Sequence, residues 1–155
     1  MKKIVIIAII ILGIFASCKK EIIEVEVPKA PKSAANPVVS GGECYVSTAN
    51  NSTVELSFNI NSMQEVNGKL IYIPYQKDKN EGIIVGSISG DTLIADYTFM
   101  SEGVSSVREV AFLKKDGTYI EGFGDVIESN GKFVFKDKTK LKFDLKNTLS
   151  KVECK

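Results

Sequence analysis

From Glu43 onward the chain predicts an all-β domain, a single antiparallel meander of about eight or nine strands closed into a small barrel. Three observations predict it. Apolar residues recur at every second position, and no long run shows helical spacing, so each strand has one dry and one wet face. Dipeptides that accept positive φ punctuate the alternating runs at hairpin intervals. A meander of that many strands leaves two sheet edges open unless it closes on itself, which favours a barrel.

The elements follow in order. Strands are expected at 43–48, 53–60, 66–75, 81–89, 91–100, 104–115, 117–128, 131–136 and 139–146. Val54, Leu56, Phe58 and Ile60 alternate with Thr53, Glu55, Ser57 and Asn59. Leu93, Ala95, Tyr97 and Phe99 alternate with Thr92, Ile94, Asp96 and Thr98. Tyr119, Phe123 and Ile127 share a face, Phe133 and Phe135 share another, and Leu141, Phe143 and Leu145 alternate with lysines and Asp144. Turns are expected at Asn67-Gly68, Gly90-Asp91, Asp116-Gly117 and Asn130-Gly131. The favoured closure is an up-and-down barrel of the lipocalin or avidin type, with an open two-sheet sandwich as the alternative.

Ahead of this domain, residues 1–17 read as a signal peptide. Lys2-Lys3 precedes an unbroken apolar stretch from Ile4 to Phe15, and Phe15-Ala16-Ser17-Cys18 closes it with small residues and a cysteine, the pattern of a bacterial lipoprotein signal. A transmembrane anchor needs about 20 apolar residues. This run is shorter, and Lys19-Lys20-Glu21 follows at once. A plain secretory signal is the alternative. Lipidation at Cys18 would bury two or three acyl chains, enough for stable membrane attachment. Lys19, rather than Asp, after the cysteine suggests the outer membrane by analogy with enteric sorting.

Residues 18–42 read as a tether, because Pro28, Pro31 and Pro37 stiffen a stretch of Lys, Ala, Ser and Asn. Ile23, Val25 and Val27 alternate there, so an extra edge strand or a partner-binding strand is the competing reading. The β domain then spans 43–155. Removing the first 17 residues changes the formal balance from 20 basic and 19 acidic side chains to 18 and 19. Such a near-neutral chain carries no basic footprint for nucleic acid.

Cys18 is expected to carry lipid, which leaves Cys44 and Cys154, one near each end of the β region. In an oxidising compartment this even pair is expected to form a disulfide, the alternative being two buried thiols. No Cys-x-x-Cys occurs.

The chain has no His and no Trp. Imidazole-dependent nucleophiles and most zinc, copper and haem sites are thereby disfavoured, and neither cofactor nor metal is expected. Carboxylate chemistry survives as a possibility. Glu55, Asp96, Glu109, Glu121 and Asp125 are scattered without a distinctive spacing, which reads as a solvated face. Asp78-Lys79-Asn80-Glu81-Gly82 resembles the start of a calcium loop, but Ile83 and Ser89 stand where that loop requires Gly and Glu.

One charge must point inward. If Val110 and Phe112 face the core, Arg108 does too; if Val107, Ala111 and Leu113 do, Glu109 does. An unpaired buried ion is costly, and Glu102 is the expected partner of Arg108. The pair is expected either to close the barrel end or to anchor a polar group of a ligand. Tyr72, Tyr75, Tyr97, Phe99, Tyr119 and Phe123 are the candidate lining of a binding cup, or else simple core filling.

The runs Gly90-Asp91-Thr92-Leu93-Ile94-Ala95-Asp96-Tyr97-Thr98-Phe99, Ser101-Glu102-Gly103 and Ser106-Val107-Arg108-Glu109-Val110-Ala111-Phe112 resemble the core segment of small envelope lipoproteins of the Bacteroidetes, such as those of flavobacteria. The resemblance runs from about Cys44 to Cys154. It implies an envelope location and carries no activity, ligand or catalytic residue with it. In that setting Asp91-Thr92-Leu93 fits a short O-glycan acceptor pattern, with Thr92 as the acceptor.

The functional expectation is a membrane-anchored, non-catalytic envelope module that binds a small apolar ligand or a protein partner. The alternative is a carboxylate-dependent hydrolase acting on envelope polymers.

Overall fold

The computed structural model describes residues 42–155. The signal peptide, Cys18, the tether up to residue 41 and the Ile23, Val25, Val27 alternation lie outside the described residues.

Ten strands form one sheet: β1 (Glu43–Ala49), β2 (Ser52–Ile60), β3 (Glu65–Ile73), β4 (Asn80–Ser89), β5 (Thr92–Ser101), β6 (Val104–Lys115), β7 (Thr118–Phe123), β8 (Val126–Ser129), β9 (Lys132–Phe135) and β10 (Lys142–Val152). The strands from β1 to β7 pair each with the next, β7 pairs with β10, and β10 returns to β1. Eight strands thus close an antiparallel barrel, and β8 and β9 form an extra hairpin. The sandwich alternative falls, because closure removes both free edges of the eight-stranded wall.

The run expected at 117–128 breaks at Gly124-Asp125 into β7 and β8. After β7 the chain leaves the wall, makes the β8–β9 hairpin and a single 3₁₀ turn at Lys138–Lys140, and re-enters as β10. β7 pairs with β6 only from Ala111 to Lys115; β9 takes over at Arg108, opposite Phe133 and in parallel.

Turn chemistry explains the hairpins. Asp116-Gly117 and Asn130-Gly131 both adopt positive φ, and Glu102-Gly103 does the same between β5 and β6. Asn67-Gly68 is no turn: it lies inside β3, where Gly68 gives room to Phe58 on the neighbouring strand. The β2–β3 connection is instead organised by Asn61, whose Oδ1 accepts the backbone N–H groups of Met63 and Glu65, both at 2.9 Å.

The lower end of the barrel carries the β2–β3, β4–β5 and β6–β7 turns together with residue 42 and the C-terminus. The upper end carries the β1–β2, β3–β4 and β5–β6 turns. Inside, Tyr45, Phe58, Tyr97, Phe112, Tyr119, Leu56, Leu70, Ile84, Leu93, Leu149 and Val66 are fully buried. Tyr119 stands edge-on to Tyr45 and Phe58, with ring centres 4.8 and 5.6 Å away. Gly82 admits the stacked pair Tyr97 and Phe99, since a Cβ there would overlap the Tyr97 ring and the carbonyl of Thr98.

β10 departs from the expected strand at 139–146. Between Phe143, opposite Gly122, and Thr148, opposite Ile120, the four residues Asp144–Asn147 stand against Glu121 alone. The bulge leaves Leu145 68% exposed, lays Phe143 over Gly122, and makes Leu149 the residue this strand contributes to the core.

At the lower end Cys44 and Cys154, 110 positions apart in sequence, form a disulfide with Cα atoms 5.3 Å apart. It staples the strand that opens the barrel to the segment just beyond the strand that closes it. This is the pairing expected from the cysteine count.

Candidate functional site

Val110 and Phe112 are buried in the core, so the period of two carries Arg108 inward as well. Its cross-strand neighbour is Tyr97. The guanidinium carbon lies 5.1 Å from the ring centre of Tyr72, 5.5 Å from Tyr97 and 5.3 Å from Phe99. All three distances are within the range of cation–π attraction. Three strands, β3, β5 and β6, therefore build an aromatic cradle around one cation in the upper half of the barrel.

The expected Glu102–Arg108 pair does not form. Glu102 occupies a left-handed position, φ 50°, in the β5–β6 turn, where it is exposed to solvent. Arg108 makes no ion pair or hydrogen bond among the described residues, and its Nε is buried without a partner. The hydroxyls of Tyr97 and Tyr119 are also buried and unpartnered.

Glu121 is the functional candidate that the pattern of acids hid. It is 8% exposed, on the inward face of β7 that it shares with Tyr119, and it accepts the phenolic proton of Tyr72 at 2.5 Å. The solvated-face reading is therefore wrong for this residue. The signal is present in the sequence: alternation puts Tyr119 and Phe123 on one face, and residue 121 lies between them on that same face. Burial raises the Glu121 carboxyl above its ordinary value of 4.5, while Tyr72 and the positive charge of Arg108 pull it back down. Tyr72 is pushed well above its ordinary range, first by burial and then by Glu121. Burial also lifts Tyr97 to about 12.

Beside Glu121, a cavity of about 60 Å³ is lined by Ser47, Ser52, Val54, Asn147 and Leu149 among others. The β10 bulge makes it, because Asn147 belongs to the segment looped out opposite Glu121. Pockets for drug-sized ligands run from about 300 Å³ upward. This one holds water or a fragment of a ligand and no more.

The remaining candidates are dispersed. Tyr119 belongs to the lower half, packed against Tyr45 and Phe58 and approached by the Lys114 ammonium at 6.0 Å. Phe123 is 48% exposed at the upper rim, and Tyr75 lies exposed beyond β3. Phe123 is excluded from the cradle because β7 ends there, and it lines an external groove of about 670 Å³ with Asp125, Lys136, Lys140 and Lys142. Thr92 opens β5, half-buried, next to the Gly90-Asp91 turn.

Outside the wall, Glu109 is 10% exposed because the extra hairpin covers it. It accepts the Phe135 N–H at 2.9 Å and the Lys138 ammonium at 2.7 Å. Lys132 bonds Asp96 at 2.6 Å. Both contacts tie the β8–β9 region to the outer face of β5 and β6.

The fold and this cluster define a class: a closed eight-stranded antiparallel barrel with a filled lower half and a charged aromatic cradle above it. No family model, no curated protein and no solved structure matches the chain.

Proposed function

We propose that this is a lipid-anchored module of the bacterial envelope, held through Cys18 in the outer membrane, whose barrel binds and does not catalyse. The reading keeps the resemblance to small Bacteroidetes envelope lipoproteins. The observation that carries it is the Arg108 cradle: a cation lodged among Tyr72, Tyr97 and Phe99 with no counter-ion in contact among the described residues. A purely structural core has no use for such a group, since burying an unpaired charge costs stability. The ligand is a small molecule seated at the upper mouth. Packed side chains leave no lumen for a long-chain ligand, and the described chain enters at the opposite end.

A protein partner is the second reading. It is favoured by Phe123, Val126, Ile127 and Phe133, all exposed apolar residues on the end of β7 and on the extra hairpin. The hydrolase alternative has less support, because the buried acid Glu121 faces a tyrosine and an arginine and not a second carboxylate.

The test is native mass spectrometry of soluble chain lacking the first 18 residues, beside protein purified from its own membranes. A co-purifying small molecule lost in Arg108→Gln, together with a fatty-acylated Cys18 as the first residue, is expected. Native protein that retains Met1 and carries no fatty acid sinks the anchoring; an empty barrel from every source sinks the small-molecule reading.

A further inference from the structure

We infer that Arg108 is the receptor for a small monoanionic carboxylate whose apolar body rests against the partly exposed rings of Tyr72 and Phe99, with the buried Tyr97 ring behind them; this rests on the small-molecule reading above and names the class of ligand. Guanidinium has five donors in a planar fork that matches the two oxygens of a carboxylate. In the described residues none of the five is used: no ion pair reaches Arg108, and Nε is buried without an acceptor. The side chain is half-buried, so the cradle is not sealed from solvent.

The two acids that stood to neutralise Arg108 are both otherwise placed. Glu102 is held in the exposed turn, and Glu121 spends its short hydrogen bond on Tyr72. What surrounds the cation is ring surface, which fits hydrocarbon or an aromatic group better than a sugar or a hydrated ion.

Charge restricts the ligand further. Among the described residues Arg108 is the one cation lying over these three rings, and Glu121 is close enough to feel its field. A phosphate dianion would meet one guanidinium and a neighbouring acid. A carboxylate brings a single negative charge and two acceptor atoms, which one guanidinium balances. The Tyr97 hydroxyl, carried by one of the three rings, is a further buried polar group without a partner.

The experiment uses ¹⁵N-labelled chain beginning at Lys19 with the disulfide intact; the barrel closes entirely within residues 42–155. It is titrated with benzoate and octanoate, with the matched neutral amides benzamide and octanamide, and with inorganic phosphate. The acids are expected to shift the amides of Tyr72, Tyr97, Phe99 and Arg108 saturably, and the neutral amides to bind about tenfold or more weakly. Arg108→Gln should erase that difference and Arg108→Lys should keep part of it. The acid–amide comparison in the unsubstituted chain stands even if a variant folds poorly.

Acid and amide binding equally would overturn the carboxylate assignment and leave the small-molecule reading in place. Phosphate binding as well as the acids, or acid binding unchanged in folded Arg108→Gln, would also overturn it. If no acid binds, the assignment fails; the small-molecule reading fails with it only if the mass-spectrometric search for a co-purifying ligand is also empty.

Discussion

Tyr72 and Glu121 are 49 residues apart in the chain and 2.5 Å apart inside the barrel, where the tyrosine donates to the carboxylate. The bond spans the lumen from β3 to β7, which are not neighbours in the wall. It gives the buried acid its one donor among the described residues. Tyr72→Phe removes that donor and leaves the acid behind. A loss of roughly 1–3 kcal/mol is expected, the cost of a buried group deprived of its partner. Urea unfolding followed by circular dichroism checks it.

Glu121 also gives the fold a pH dependence of unusual sign. Burial raises its carboxyl above 4.5, so the folded state holds the proton more tightly than the unfolded chain does. The resulting stability is complete below the unfolded value and is lost as pH climbs through the folded one. Glu43 and Glu81 shift the other way, Glu43 mainly through the Tyr45 hydroxyl and Glu81 mainly through Lys69; their contributions are lost on acidification. Glu121→Gln keeps an acceptor for Tyr72 and deletes only the first effect. The stability of the unsubstituted protein relative to Glu121→Gln should therefore rise steadily from neutral pH down to about pH 4. A flat difference would remove Glu121 from the account.

Reduction of the Cys44–Cys154 bond opens a loop whose ends are 110 positions apart in sequence. Chain entropy alone assigns such a loop about 4.7 kcal/mol, an upper figure because the reduced unfolded chain keeps some structure. Replacing both cysteines by serine is expected to cost roughly 2–4 kcal/mol, read as a lower urea midpoint. The barrel should still close, since eight strands and their shared core remain.

Gly82 is a position where a single methyl group reaches the cradle directly. Alanine there meets the Thr98 carbonyl and the Tyr97 ring, both part of the wall that holds the Arg108 cradle. Gly82→Ala should cost roughly 1–3 kcal/mol, as overpacking does. It should also disturb the Tyr97 and Phe99 ring resonances before it unfolds the rest.

Glu109 fastens the extra hairpin from outside. Glu109→Ala deletes the acceptor for Phe135 and Lys138 together. Hydrogen exchange should accelerate across residues 126–138, while the amides of β2 to β5 keep their protection. Equal acceleration throughout would mean that the hairpin and the barrel open as one unit.

Local chemistry announced much of this molecule in advance. Alternation in Val54 to Ile60 and Leu93 to Phe99, and the turns at Asp116-Gly117 and Asn130-Gly131, depend only on neighbouring residues. So does the parity that linked Arg108 to Val110 and Phe112, leaving a single inward charge to be placed. The cysteines near the two ends of the β region suggested the pairing that forms. Asn67-Gly68 misled because a glycine serves two ends: it permits a turn, and it also makes room for a facing ring, here Phe58. Whichever applies depends on a neighbouring strand.

The sequence by itself determined the class of the domain, the parity that turns either Arg108 or Glu109 inward and the expectation of a staple between Cys44 and Cys154, because period, turn residues and cysteine number are properties of short segments or of composition. Only the tertiary structure decided that Glu121 and not Glu102 lies near Arg108, that Phe123 belongs to an outer groove, and that β8 and β9 leave the wall. Those outcomes follow from strand register, from the four-residue bulge at Asp144–Asn147 and from barrel closure. Each joins residues far apart in the chain, and register is set by the whole packed barrel, not by any one of its segments.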